Sequence, residues 1–321
     1  HAMRFLACSL CCWMLFASVC QAQQRRLPQP PNDSGPWNRD LQRYESRDGR
    51  RFEHVSVFVE RAGVPCVIRD AKQRLVAVFQ WFPFDREEAF DKVAVVFSVD
   101  GGKTWSKPEP VKVVGLPEGM VRPFDPTLVL LDDGRMRFYF TTNEPARNGP
   151  SRPRIHSAIG DDGVTFRFEP GQRSIGSDGI VDCSVVRWQQ KWHMFAHIHP
   201  EPGQRPGKGY HAVSDDGLKF ERLPDLKAAE GDQWIGNAFV HENQLKYAGS
   251  GRNGLWIATS TDGGERFGPR QRLNLRRGTV TSYPESRPVA AVCCENVVWM
   301  RPSPAAASGS ASTPSSRARA A

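Results

Sequence analysis

The sequence is poor in the residues that staple or span. Of eight cysteines in 321 residues, four (Cys8, Cys11, Cys12, Cys20) fall in the first 22 positions. The other four, Cys66, Cys183, Cys293 and Cys294, contain no C-x-x-C pair, which excludes a disulfide scaffold and a zinc ribbon. Cys66 and Cys183 sit in apolar strand patterns and read as small buried hydrophobes. No amphipathic helical pattern of any length occurs, so helical-repeat architectures are excluded. No apolar run is long enough for a transmembrane helix, and no membrane span is expected. Hydrophobic residues at 39% and charged residues at 24% describe a globular chain, and 28 Gly with 25 Pro imply many turns.

The net charge of +8 is also less than it looks. From Arg270 onward there are eight Arg, no Lys and two acids, Glu285 and Glu295, so six of the eight excess charges fall there. The remaining body is close to neutral, and without a basic footprint on a folded surface no nucleic-acid partner is expected.

The N-terminus reads as a tag remnant and signal peptide over residues 1–22, with Arg4 before the apolar stretch Phe5 to Val19 and Ala22 for cleavage. A secreted or periplasmic protein is expected, in preference to a lipoprotein cleaved at Cys20 behind Val19. Residues 23–50 read as a Pro-rich linker, 51–300 as the folded domain and 301–321 as a disordered tail of Ala, Ser, Pro and Arg. The C-terminal region also fits a shifted reading frame, since no Asp follows Asn274.

An internal repeat organises the domain. Ser98-Val-Asp-Gly-Gly-Lys-Thr-Trp105, Ile159-Gly-Asp-Asp-Gly-Val-Thr-Phe166, Val213-Ser-Asp-Asp-Gly-Leu-Lys-Phe220 and Ser260-Thr-Asp-Gly-Gly-Glu-Arg-Phe267 align on their last aromatic. Each then has Asp five residues before it (Asp100, Asp161, Asp215, Asp262) and Gly three before it. In such a corner the carboxylate accepts from backbone N–H groups, Gly takes a positive φ and the aromatic packs into the sheet. A second repeat runs in step: Val64-Pro-Cys, Asp125-Pro-Thr, Asp182-Cys-Ser and Gly236-Asn-Ala each open an apolar run, a polar turn and a second run. Four strands in about 55 residues, repeated, predict an all-β propeller of four-stranded antiparallel blades. Four blades are visible between residues 64 and 270, and a ring of five or six is expected. A fifth blade has to come from Thr279 to Met300 together with the strand His54 to Glu60.

Ser98 to Trp105 and Ser260 to Phe267 resemble the Asp box of the sialidase-like β-propellers, S-x-D-x-G-x-T-W, and the other two are degenerate versions. Asp125-Pro-Thr and Asp182-Cys-Ser also resemble the inner-strand starts of five-bladed glycosidases of the arabinanase and β-xylosidase kind. The resemblance implies a propeller fold and a glycoside hydrolase. It departs from the sialidases at Gly63-Val64-Pro65, where that family has Arg-Ile-Pro, and no Tyr-Glu nucleophile pair can be assigned.

Topology selects the candidate site. If inner strands start at Asp125 and Asp182 on one face, the Asp-Gly turns fall on the other. Asp125 and Asp182 then converge at the axis, where paired carboxylates suit glycoside hydrolysis and split each other's pKa values. The competing reading is that each Asp caps a strand end. Glu144 is the first candidate for the general acid, with Glu201 and Asp178 as rivals. Arg122, Arg152, Arg154, Arg205 and Arg252 are expected round the same mouth, where guanidinium groups suit acidic sugars. His193, His197 and His199 alternate on one strand face, with His211 further on. They lack an accompanying carboxylate or Cys at ligand spacing, so His197 and His199 are assigned to substrate rather than metal, and no cofactor is expected. Trp81, Phe82, Phe84 and Trp234 stand at strand ends where an aromatic face can meet a sugar ring. The expected partner is an oligo- or polysaccharide, acidic ones included, and a monomer is expected. A non-catalytic carbohydrate-binding propeller and a protein-interaction propeller are the alternatives.

Overall fold

A computed structural model of the chain describes residues 36–46, 51–143, 152–176, 178–199, 208–227, 232–251, 254–260, 262–276, 289–292 and 297–300. Two strands precede the repeats, β1 (Leu41–Glu45) and β2 (Arg51–Val59). The first blade is β3 (Ala62–Arg69), β4 (Leu75–Trp81), β5 (Lys92–Ser98) and β6 (Glu109–Pro110). A short β7 (Lys112–Val114) then lies parallel to the outer edge of the second blade. That blade is β8 (Phe124–Leu130), β9 (Met136–Asn143), β10 (Pro153–Gly160) and β11 (Thr165–Glu169). The third contains β12 (Gly179–Trp188), β13 (Lys191–His199), β14 (Lys208–Ser214), β15 (Glu221–Arg222) and β16 (Leu226–Lys227). The fourth contains β17 (Asp232–His241), β18 (Gln244–Gly251), β19 (Trp256–Ser260) and β20 (Gln271–Arg272).

These four sequential blades make the propeller that the repeats predict. A fifth sheet joins the two ends of the described chain. Its order is β21 (Asn274–Arg276), β2, β1, β22 (Val289–Val292), β23 (Val297–Met300), and β23 packs between β3 and β17. Both segments expected to close the ring take part in it. One boundary differs from expectation: Leu41–Glu45, inside the stretch read as linker, is a strand, with Leu41 fully buried. A five-residue strand behind a Pro-rich segment has too little period to stand out until its partner, β2, is in place.

Both faces of each blade are buried, which is why the inner and middle strands read as nearly continuous apolar runs. In β4, Val76 and Val78 pack towards the second blade with Phe138 and Phe140, whereas Ala77 and Phe79 pack towards the fifth sheet with Leu41 and Val59. Tyr139, Met194 and Tyr210 fill the space between the second and third blades, and Phe195, Trp234, Tyr247 and Trp256 that between the third and fourth. Phe52 of the fifth sheet packs against Ala248, Leu255 and Ile257 of the fourth blade.

The Asp-Gly corners join third and fourth strands, and their hydrogen bonds correct the register read from the aromatics. Asp100 accepts from the backbone N–H groups of Lys103 and Thr104 and from the Thr104 hydroxyl, while Ser98 Oγ donates to it and receives the Gly102 N–H. Asp262 with Ser260 repeats the arrangement. In the two degenerate corners the capping carboxylate is the second Asp of the pair. Asp162 accepts from Val164 and Thr165 N–H, and Asp216 accepts from Leu218 and Lys219 N–H. Ser214 Oγ donates to Asp216 as Ser98 Oγ does to Asp100, whereas Gly160 stands at that serine position in the second blade, and both of these loops are one residue shorter before Gly. Asp215 instead reaches outward to Lys191 at 2.9 Å.

Two tests follow from these contacts. Asp216→Ala removes a carboxylate that closes a turn and should lower the unfolding free energy by about 1–2 kcal/mol, whereas Asp215→Ala should leave the urea midpoint unchanged. Gly236 lies where a Cβ would stand 1.9 Å from the Ala248 carbonyl oxygen, so Gly236→Ala forces two backbones apart. We expect a loss of about 3 kcal/mol in chemical denaturation, typical of severe overpacking.

Candidate functional site

Each inner strand of the first three blades breaks its ladder at the same place. The register of β3 shifts between Gly63 and Cys66, that of β8 between Phe124 and Thr127, and that of β12 between Val181 and Ser184. The residue inside each bulge has a left-handed backbone, with φ of 51° at Val64, 50° at Asp125 and 53° at Asp182. Asp tolerates that region far better than a β-branched residue. Pro65 and Pro126 fall in the bulge too, where no ladder N–H is required. The motif Val/Asp-Pro/Cys is therefore a local backbone device that turns one side chain per blade out of the ladder.

The register fixes the faces. Phe124 pairs with Thr141 at one end of the second blade, while Leu130, Met136 and Gly160 meet at the other, where the corner turn begins. Asp125 and Asp182 thus lie at the end opposite the corners, as the topology requires. They also meet. The Asp125 carboxyl hydrogen-bonds the side chains of Thr141 and Asp182. The Asp182 N–H points at Asp125 Oδ2 at 3.4 Å and at Thr141 Oγ1 at 3.3 Å. Asp125 is 8% exposed and Asp182 half-buried. Burial pushes the Asp125 carboxyl up to about 6, against the hydrogen bonds from Thr141 and Asp182 and the nearby Arg122 charge.

Arg122 belongs to the same group. Its Nε donates to the Asp91 carbonyl at 2.6 Å and its Nη2 to the Asp91 carboxylate, which also accepts from Gln80 Nε2 at 2.7 Å. Partial burial lowers the Arg122 pKa while the Asp125 charge opposes that shift. Gln80, Asp91 and Arg122 thus form one hydrogen-bonded group whose guanidinium charge acts on the Asp125–Asp182 pair. His197 pairs with Val181, next to Asp182, and His199 with Gly179, so both stand at the mouth end of β13. Burial and then the His199 charge push the buried His197 imidazole down to about 4, leaving it neutral at pH 7.

Other expected members lie elsewhere. Trp234 is 2% exposed and packs edge-on against Tyr247, Trp256 and Phe267, so it is core and presents no face to a sugar. Trp81 is half-buried in a groove between the first blade and the fifth sheet, under the Arg86 guanidinium and facing Trp105 and Phe58. Phe82 is buried, and Phe84 lies under Arg61. His193 shares a strand face with His197 but sits towards the corner end, stacked on Phe195 and His211, with its Nδ1 3.3 Å from His211 Nε2. Burial pushes His211 down to about 3. The alternation of His193, His197 and His199 is real, but strand rise separates the first from the others. Among the described residues no group of three His, Cys, Asp or Glu is placed to hold a metal. Arg154 donates to the Asp178 carbonyl, and the Asp178 carboxylate is held by Arg222 at 2.8 Å, which ties up that rival acid. Glu144, Glu201, Arg205 and Arg252 lie outside the described residues.

Thr141, Asp91 and Gln80 were not singled out by the sequence. The one available signal was a buried polar residue closing the apolar run of β9 at Thr141; nothing marks Asp91 before its partner Arg122 is placed 31 positions later.

No protein-family model matches the chain, nor does any curated protein sequence. Solved structures do. A thermostable family-43 glycoside hydrolase superposes with a TM-score of 0.58 at 13% identity, covering 78% of this chain and 91% of its own. An endo-1,4-beta-xylanase from Bacteroides thetaiotaomicron VPI-5482 gives 0.53 at 12% identity over 73% and 87%. A protein of unknown function from Dyadobacter fermentans DSM 18053 gives 0.51 at 16% identity over 82% of each chain. At these identities the likeness establishes a shared propeller fold.

The raised pKa of Asp125 has a consequence for folding. A carboxyl whose folded pKa lies near 6 stabilises the native state fully below the unfolded value near 4 and loses that contribution as pH rises through about 6. Asp125→Asn removes this dependence. We expect the variant to gain about 1–3 kcal/mol over the wild type at pH 7 relative to pH 4, read from denaturation curves across that range.

Proposed function

We propose that the chain is an exported glycoside hydrolase whose reaction centre is the carboxyl pair at the mouth of the propeller. The observation that carries this reading is the contact between Asp125 and Asp182, two acids from neighbouring blades aimed at each other from equivalent bulges. A strand cap needs only local N–H groups. It does not explain why two carboxyls are brought together beside Arg122, a costly arrangement without a ligand.

We also divide the roles between the two acids. Carboxyls in contact cannot straddle a sugar, since acid and nucleophile stand about 5–5.5 Å apart in retaining enzymes and about 6.5–9.5 Å in inverting ones. Asp182, the more exposed of the two, is the group that meets substrate, as base towards water or as nucleophile towards the anomeric carbon. Asp125, its pKa raised by burial, holds a proton through mildly acidic pH, and its hydrogen bond with Asp182 fixes the orientation of that side chain. It is a positioning residue. The leaving oxygen takes its proton from a third carboxyl, for which Glu144, the residue after Asn143 at the end of β9, remains our candidate. Neutral His197, with His199, supplies hydrogen bonds to sugar hydroxyls. The chain reads as a relative of the sialidase-like propellers, yet Val64 offers no carboxylate-binding Arg on the first inner strand, so sialic acid is not the substrate we favour.

Asp182→Asn should lower turnover on an aryl-glycoside panel by about 10²–10⁴ while glycan affinity survives. Asp125→Asn should move the acid limb of the pH–rate profile. Full hydrolysis by the Asp182 variant would overturn the assignment, and glycan binding without turnover in the wild type would establish the carbohydrate-binding alternative.

A further inference from the structure

We propose that the flank between the second and third blades is a second polysaccharide site, selective for acidic chains. This rests on the glycan-processing reading above and is tested separately from it. A groove of about 880 Å³ there is lined by five cationic side chains, Arg135, Arg137, Arg167, Arg173 and Lys219, and by one carboxylate, Glu169. It lies towards the corner-turn end, since Arg137 Nη1 donates to the Asp216 carbonyl at 2.9 Å within the third blade's corner. A chain held in it leaves the mouth open.

Two of the cations are built into the wall. Arg137 and Arg173 are 6% and 4% exposed. Arg137 grips Glu169 through Nε and Nη2 at 2.9 and 3.1 Å. Arg173 donates to Ser157 Oγ at 2.8 Å and to the Glu169 and Pro170 carbonyls at 3.0–3.2 Å. Gly171, at φ 95°, leaves the room that Arg173 Nη1 takes, a Cβ there standing 3.2 Å away. Arg137 thus has the Glu169 carboxylate as its ion-pair partner, whereas Arg173 is held by neutral acceptors, a hydroxyl and two carbonyls, and the wall keeps positive charge without a directly paired anion where solvent screens it poorly. The nearest other acids are committed, Asp216 to its turn and Asp133 to Arg135 at 2.7 Å. Arg167 and Lys219 stand exposed on the rim, with no ion pair among the described residues.

An extended anion fits that pattern: carboxylate or sulfate groups repeated along a chain meet rim cations in turn, with the fixed guanidinium charge behind them. A single-stranded nucleic acid fits less well, because it also needs exposed aromatic faces for its bases. Phe220 is buried here and Phe168 is half-buried against His156.

The test is affinity electrophoresis and calorimetry of the full chain with polygalacturonate, neutral arabinan and a single-stranded DNA oligonucleotide. We expect polygalacturonate to bind most tightly, with affinity falling as salt rises from about 0.05 to about 0.5 M. Arg167→Glu combined with Lys219→Glu should weaken it about tenfold or more, without changing turnover of small aryl glycosides. Unchanged affinity in that double variant, equal retention by arabinan, or tighter binding to DNA would each overturn the inference. Polygalacturonate binding that survives in a protein without turnover would uphold this site while removing the hydrolase reading.

Discussion

The structure depends on a set of hydrogen bonds that tie one inner strand to the next just below the bulges. Cys66 Sγ meets the backbone of Leu128, Thr127 Oγ1 donates to the Cys183 carbonyl, and Ser184 Oγ receives the Ala238 N–H at 2.8 Å. Asn237 Nδ2 reaches the Pro65 carbonyl at 3.4 Å, across the axis from the fourth blade to the first. Cys66, Thr127 and Ser184 hold equivalent positions, two residues past Val64, Asp125 and Asp182, and Asn237 stands beside Ala238 on the fourth inner strand. Around a narrow axial cavity of about 250 Å³ they hold the blades in angular register. Because interior packing admits little slack, the bulges above them cannot drift apart either. The meeting of Asp125 and Asp182 is inherited from this ring.

The ring also separates the corners from the carboxyl pair. Below it lie the corners, each with an Asp carboxylate that accepts backbone N–H groups, three of them with a Ser two residues before it. Thr104, first by its hydroxyl and then by its N–H, holds the Asp100 carboxyl well below the usual range. Above it Asp125 is held in the opposite direction by burial. One residue type thus serves two ends of the same fold, and the difference is the supply of N–H donors: plentiful in a tight turn, scarce beside a bulge facing another carboxyl.

Much of this was legible in the chain. Alternating apolar runs and corner motifs repeat often enough to define blades, since period and turn chemistry act within a few residues. The convergence of Asp125 and Asp182 followed from strand parity and direction. What failed depended on neighbours. Trp234 looks like a rim aromatic until Tyr247, Trp256 and Phe267 close over it. Asp161 and Asp215 align with Asp100 by counting back from the aromatic, yet hydrogen bonding chooses Asp162 and Asp216, because the turn is counted from the end of the third strand. β1 was hidden in a linker composition because a strand of five residues carries no signal without its partner.

The sequence by itself determined the blade, its corner and the place of one acidic side chain at the start of two inner strands, all consequences of short-range backbone preference. Only the tertiary structure decided that the two acids touch, that Arg122 is anchored beside them by Asp91, and that Arg137 pairs with the Glu169 carboxylate in a flank wall where Arg173 binds the main chain. Those contacts join residues 16 to 57 positions apart in the chain. Closure of the ring sets them, and burial then sets their charge states.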